Sequence, residues 1–170
     1  VKRAVDRGFA AYETYMASVR NAGENALAFA REHGKRIMIL AGRPYHIDPE
    51  ICHGIDKLAN QLGFVVVSED SVCHLASKSP KVHVLNQWTY HARLYRAAEY
   101  ASEHDDTELV QLVSFGCGVD AITTDEVRSI LEAHDKFYTQ IKIDEITNLG
   151  AVKIRLRSLL GALEDKEARK

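Results

Sequence analysis

Four short, mainly apolar segments constrain the fold of this chain more than any other feature of its sequence. They lie at about residues 36–41, 64–68, 109–114 and 137–143, and a helical pattern follows each of them. Apolar runs without strict alternation are typical of parallel strands that are buried on both faces. Strands that alternate with helices form right-handed crossovers. The sequence therefore predicts an α/β fold with a doubly wound, mainly parallel sheet, Rossmann-like or flavodoxin-like, preceded by N-terminal helices.

A helical segment over residues 1–34 precedes the predicted α/β domain, which we place at residues 35–170. Its apolar residues recur at steps of four and three, at Val5, Phe9, Tyr12, Met16 and Val19. This spacing forms one stripe, which we expect to pack on the α/β domain, on a second copy or on a missing domain. Gly23 predicts a weak point, with a second helical segment ending at Gly34. Because the helical pattern already runs at the first residue, we expect a piece of a longer chain.

The composition narrows the class of partner and the location of the protein. Hydrophobic residues make up 46% of the 170 residues, and the formal net charge is -2. Such a chain has no strong positive electrostatic field that would attract nucleic acid or an acidic membrane surface. Its apolar runs are too short to span a bilayer. Three cysteines would leave an odd one unpaired, so we predict a reducing, cytoplasmic location rather than a disulfide framework.

Two helices carry local start signals in the sequence. Asp48 followed by Pro49 is typical of an N-cap with proline at the first helical position. Thr123 with Glu126 matches a capping box. We therefore predict that one helix begins directly after Asp48 and that another begins at Thr123.

Polar turns follow the predicted strands, and the ligand crevice of an open α/β sheet lies at that edge. Arg43 and His46 are in the first turn, Glu69 is in the second, Cys117 is in the third, and the fourth covers residues 144–148. We expect Arg43, His46 and Glu69 to be neighbours of Cys117 and candidates for binding a cofactor. Anions commonly bind at such turns, so Arg43 and His46 can hold a small carboxylate or a thioester-linked group. Arg43 can equally bond carbonyl groups at the sheet edge. The sequence has neither a GxGxxG nor a GxxxxGK[ST] motif, so a standard nucleotide site is not supported.

Cys117 is the most reactive candidate among the three cysteines. It lies between two glycines, after a predicted strand and shortly before a helix. Backbone N–H groups near a helix N-terminus favour the thiolate, which ligates a metal or attacks an electrophile. The glycines can also serve only the tight turn, and both interpretations stay open. Cys52 and Cys73 are each followed by histidine, but without CxxC or HxxxH spacing they favour core positions over a zinc site.

Four ordered strings of sequence resemble one protein family. They are AGRPYHIDPE at residues 41–50, QWTYHARLY at 87–95, SFGCGVDA at 114–121, and KIDE with NLGA within 142–151. Over roughly residues 36–162 the chain resembles the long, fused activator proteins of (R)-2-hydroxyglutaryl-CoA dehydratase, in their region similar to the dehydratase D-component.

This resemblance implies a part in the radical dehydration of 2-hydroxyacyl-CoA in anaerobic metabolism. It implies an iron–sulfur cluster, of the 4Fe–4S type, that relays a low-potential electron, with Cys117 as one ligand. Further ligands, and the ATPase activase domain that would be a partner, would lie elsewhere in the long chain. An acyl-CoA dehydratase is the other implied partner, a homo-oligomer stays open, and the isolated chain is expected to be inactive.

Two other functions stay open at this point. One is a catalytic module that binds acyl-CoA at Arg43, His46 and the acidic turns. The other is a non-enzymatic docking domain whose helix from Trp88 to Tyr95 meets a partner.

Overall fold

The computed structural model describes residues 1–114, 116, 118–143 and 149–169. Within these residues four parallel strands form one sheet, in the order β2-β1-β3-β4. The strands are β1 (Ile37–Ala41), β2 (Val65–Ser68), β3 (Thr107–Val113) and β4 (Thr139–Lys142). This is the strand order of a flavodoxin-like sheet. The predicted parallel α/β fold is therefore confirmed.

Helices cover both faces of the sheet. They are α1 (Lys2–Glu32), α2 (Ile55–Gln61), α3 (Glu69–Val72), α4 (Thr89–Ser102), α5 (Gly118–Glu132) and α6 (Gly150–Ala168). Alternate residues of β1 point to opposite faces: Ile37 and Ile39 pack with α1, α4 and α5, whereas Met38 and Leu40 pack with α2 and α6. None of the helices in the described part of the chain is long and apolar enough to cross a membrane.

α1 is one continuous helix, so the predicted weak point at Gly23 is wrong. Gly23 is buried where α1 crosses α3, and a Cβ built on it would lie 2.5 Å from the carbonyl oxygen of Ser71. Glycine therefore allows the two helices to approach closely. Gly34 follows the helix with φ of 59°, as a C-terminal glycine does.

The first half of α1 is exposed. The exposed fractions of Val5, Phe9 and Tyr12 are 47%, 67% and 56%, whereas Leu27 and Ala30 near the other end are buried. The expectation that the apolar stripe packs on the α/β domain is therefore wrong for these residues. Packing on a second copy or on another domain stays a prediction.

The helix after β1 begins later than its start signal predicts. Residues Pro44–Ile47 form a 3₁₀ turn, and the Asp48 carboxylate accepts a hydrogen bond from the backbone N–H of Glu50 at 3.0 Å. Asp48 thus stabilises a turn and does not cap the N-terminus of a helix. α2 begins only at Ile55, after Gly54 with φ of 79°.

The capping box predicted at Thr123 is also wrong. α5 already begins at Gly118, and the Thr123 hydroxyl donates to the carbonyl of Val119 at 2.8 Å inside that helix. Glu126 instead accepts the backbone N–H of His83 at 2.9 Å, which ties the segment before α4 to α5.

We predict that Gly23→Ala destabilises the chain, because its Cβ would overlap Ser71. Overpacking of this kind costs about 1–3 kcal/mol, which exceeds the gain of up to about 1 kcal/mol from better helix propensity. Gly8→Ala in the same helix is the matched control, since a Cβ there meets nothing within 4 Å. Urea unfolding followed by circular dichroism measures both. A Gly23→Ala variant as stable as Gly8→Ala would contradict the prediction.

Candidate functional site

The described polar side chains converge where the carboxyl ends of β1 and β3 lie side by side. β1 pairs with β2 on one edge and with β3 on the other, so the chain order reverses between β1 and β3. Ligands of open α/β sheets bind at such a switch point. The turn after β1 supplies Arg43, Tyr45 and His46, and the segment after β3 supplies Ser114 and Asp120.

His46 is buried and held in one protonation state. The backbone N–H of Arg43 donates to its Nδ1 at 3.0 Å, and its Nε2 lies 3.0 Å from the Ser114 hydroxyl oxygen. Because a backbone N–H can only donate, Nδ1 is the acceptor and Nε2 carries the proton. His46 therefore donates to Ser114, whose oxygen also lies 3.1 Å from the Tyr45 hydroxyl. Burial lowers the pKa of His46, which favours the same neutral ring.

A glycine makes room for this arrangement. The His46 ring folds back over the end of β1, and a Cβ built on Gly42 would lie 2.5 Å from His46 Nδ1. The Gly-Arg-Pro-Tyr-His turn therefore needs glycine at its first position for steric reasons.

A salt bridge joins the first turn to α5. The Arg43 guanidinium lies 3.0 Å and 3.1 Å, through two nitrogens, from Oδ1 of Asp120. Asp120 is only 9% exposed, and its Oδ2 is buried without a hydrogen-bond partner among the described residues. Buried charges need such partners, because desolvation of an unpaired carboxylate is costly. Arg43 therefore fixes the start of α5 against the end of β1.

Glu69, at the end of β2, belongs to a second buried pair. Its Oε1 accepts a hydrogen bond from Arg93 of α4 at 3.2 Å. Burial, followed by the charge of Asp70, raises the pKa of Glu69 to about 7 against an ordinary value of 4.5. The Arg93 guanidinium also lies over the Tyr90 ring, 5.0 Å from its centre. Glu69 is thus paired with Arg93 and so joins the end of β2 to α4.

An open cavity of about 600 Å³ lies beside these pairs. We call it the aromatic recess, and its lining includes Arg43, Tyr45, Trp88, Tyr90, His91 and Val119. Its walls come from the turn after β1 and from the start of α4 and of α5. The recess is therefore at the switch point of the sheet, where a ligand is expected.

The described cysteines do not form a metal site. Cys52 is buried among the side chains of the α2 and α6 face, and Cys73 packs against the opposite face. Burial raises the pKa of both thiols, which disfavours the thiolate that binds a metal. Among the described residues no group of three His, Cys, Asp or Glu side chains could hold a metal ion. Cys117 and the fourth turn, residues 144–148, lie outside the described residues.

The sequence identified the turns but did not identify their pairings. The structure brings Arg43 and His46 together, and it gives Glu69 a different partner. The prediction missed Ser114 and Asp120 as the partners of the first turn. Ser114 directly follows β3 and Asp120 lies in the first turn of α5, so their position was visible in the sequence, whereas their partners were not.

Comparison with protein families gives a match over the first part of the chain. A family model described as the CoA enzyme activase uncharacterised domain (DUF2229) matches residues 1–72, from α1 to the end of α3. This is fewer than half of the 170 residues, and it includes Arg43, His46 and Glu69. The match supports a relation to CoA enzyme activases over this part of the chain. Neither a curated protein nor a solved structure matches.

We predict that His46 is the neutral tautomer with its proton on Nε2. Imidazole ¹⁵N nuclear magnetic resonance should show an unprotonated Nδ1 that persists below the ordinary histidine pKa of 6.5, because burial disfavours the charged ring. The exposed His53 provides the comparison in the same spectrum. Protonation of His46 at Nδ1 near pH 7 would contradict the assigned hydrogen bonds.

We also predict that Glu69 makes stability depend on pH. Its folded pKa of about 7 exceeds the ordinary 4.5, so the folded chain keeps a proton that the unfolded chain has lost. Stability should therefore fall as the pH rises from about 4.5 to about 7, by a few kcal/mol at most.

Unfolding by urea at pH 5 and pH 8 tests this dependence. Glu69→Gln should lose less stability than wild type over that interval, because the glutamine does not titrate. Glu132→Gln on the exposed surface of α5 is the control and should behave like wild type. An unchanged difference between pH 5 and pH 8 in Glu69→Gln would exclude Glu69 as the source.

Proposed function

We propose that this chain is a module of an acyl-CoA dehydratase-activating system in which Cys117 is one ligand of an iron–sulfur cluster. The family match over residues 1–72 supports the activating system, and an acyl-CoA dehydratase is then the partner. When bound, such a cluster supplies one-electron transfer at low potential. The sequence resemblance around Cys117 motivates its role as a ligand.

One structural observation carries the choice of Cys117. Two described residues on either side of Cys117 in the sequence contact the turn after β1. Ser114 is hydrogen-bonded to His46, and Asp120 forms a salt bridge with Arg43. In sequence Cys117 lies midway between these two residues. Cys52 and Cys73, by contrast, pack on opposite faces of the sheet.

The remaining ligands have to come from another segment. The sequence has three cysteines, and two of them are packed with apolar side chains. A 4Fe–4S cluster is usually held by four thiolates. The described residues alone therefore do not fit a complete cluster, and our proposal assigns the other ligands to a further domain or a second chain.

The geometry gives little support to an acyl-transfer enzyme built on Ser114 and His46. A serine nucleophile needs a histidine nitrogen that accepts its proton. Here Nδ1 already accepts the Arg43 N–H, and Nε2 donates to Ser114. The hydrogen bond between His46 and Ser114 instead holds two turns together, so we favour a binding or relay function for this edge of the sheet.

Anaerobic reconstitution of the full-length protein with iron and sulfide tests the proposal. Cys117→Ser should lose most of the bound iron, because a hydroxyl is a poor substitute for a soft thiolate. Cys73→Ala is the matched control and should retain the wild-type iron content. Circular dichroism confirms that both variants are folded. Wild-type iron content in Cys117→Ser, or equal loss in Cys73→Ala, would refute the role of Cys117.

A further inference from the structure

The aromatic recess exposes three large rings close together. The exposed fractions of Tyr45, Trp88 and Tyr90 are 36%, 58% and 51%. Aromatic surface of this size is normally buried in a soluble domain, and an exposed group of such side chains marks a place where something binds. The recess lies at the switch point of the sheet, which is where the fold places its ligands.

Each of these rings is held by a second contact within the protein. The centre of the Trp88 ring lies 5.9 Å from that of His91, and the Tyr45 hydroxyl oxygen lies 3.1 Å from that of Ser114. The guanidinium carbon of Arg93 lies 5.0 Å from the centre of the Tyr90 ring. Arg93 is itself bonded to the buried Glu69. A wall fixed in this way loses little conformational entropy when a ligand binds. The recess is therefore a built surface, in which neighbouring polar groups position the rings.

The polar groups of the recess are balanced in charge. Arg43 faces it but is bonded to the buried carboxylate of Asp120. Burial, together with the charge of Arg43, lowers the pKa of His91, so its ring is neutral near pH 7. A phosphate or carboxylate that bound Arg43 inside the recess would lie close to the Asp120 carboxylate and would be repelled by it. An uncharged group meets no such repulsion.

We propose that the aromatic recess binds a flat, uncharged heteroaromatic ring of the purine class, whose charged substituents stay outside in solvent. Rings of this kind stack on tyrosine and tryptophan side chains, which tolerate any flat π-system. A purine also fits well within a cavity of about 600 Å³. The ring can be supplied by a free nucleoside or by the adenine end of coenzyme A. This site is independent of any cluster at Cys117.

Trp88 is the one tryptophan of the sequence and lines the recess, so its fluorescence reports on the site directly. Adenosine and coenzyme A should each change the emission of the chain saturably when Trp88 is excited at a wavelength that adenine does not absorb. Acetyl-pantetheine, which has the thioester arm without the adenine ring, should neither change the emission nor displace adenosine.

Tyr90→Ala should weaken the binding of adenosine about tenfold or more, since it removes one stacking wall. Tyr90→Phe retains the ring and should bind like wild type. Tyr15→Ala is the matched control, because Tyr15 is also exposed but lies on α1. The proposal is overturned if neither adenosine nor coenzyme A gives a saturable change, if acetyl-pantetheine displaces adenosine, or if Tyr15→Ala weakens binding as much as Tyr90→Ala.

Discussion

β1 is hydrogen-bonded along both of its edges, and the position of every group at the candidate site depends on that pairing. Leu40 is level with Ser68 of β2 on one side and with Val110 of β3 on the other. All five residues of the strand are buried. A strand in this position can end only beside the ends of its two neighbours. The turn after β1 therefore meets the polar residues that follow β3, and Gly42 lets that turn fold tightly enough for His46 to reach Ser114.

The two edges of the sheet use buried polar groups differently. At the amino edge the ammonium of Lys136 donates to the carbonyls of His104 and Thr107 and lies 3.4 Å from Glu108, which ties β3 to the segment before β4. At the carboxyl edge the buried pairs are Arg43 with Asp120 and Arg93 with Glu69. Both edges hold buried side-chain atoms without a hydrogen-bond partner among the described residues, one in Glu108 at the amino edge and one each in Glu69, Arg93 and Asp120 at the carboxyl edge. Incomplete pairing is costly in a purely structural role, and it is more frequent at the edge that carries the recess.

The fold was predictable from sequence because a strand that is buried on both faces consists of consecutive apolar residues, which are visible in the sequence. An apolar run such as Ile37–Leu40 cannot be placed at the surface, and four such runs define the sheet. Local signals were less reliable where side chains have more than one use. Asp48 closes a turn instead of capping a helix, and Thr123 bonds within α5. Gly23 was misread because the close approach of α3 is a tertiary contact that no local pattern records.

The site was predictable in position but not in its pairings, for a related reason. Topology fixes which strand ends are adjacent, whereas a salt bridge such as that of Arg43 with Asp120 depends on side-chain reach across 77 residues of sequence. That salt bridge also limits how the recess can be used. A ligand that drew Arg43 away would leave a buried carboxylate without its partner, which costs about 3–5 kcal/mol when one member of such a pair is removed. A ligand that stacks on the aromatic walls leaves the pair intact. The energetics of the buried pair therefore select flat, uncharged groups over anions at this edge of the sheet.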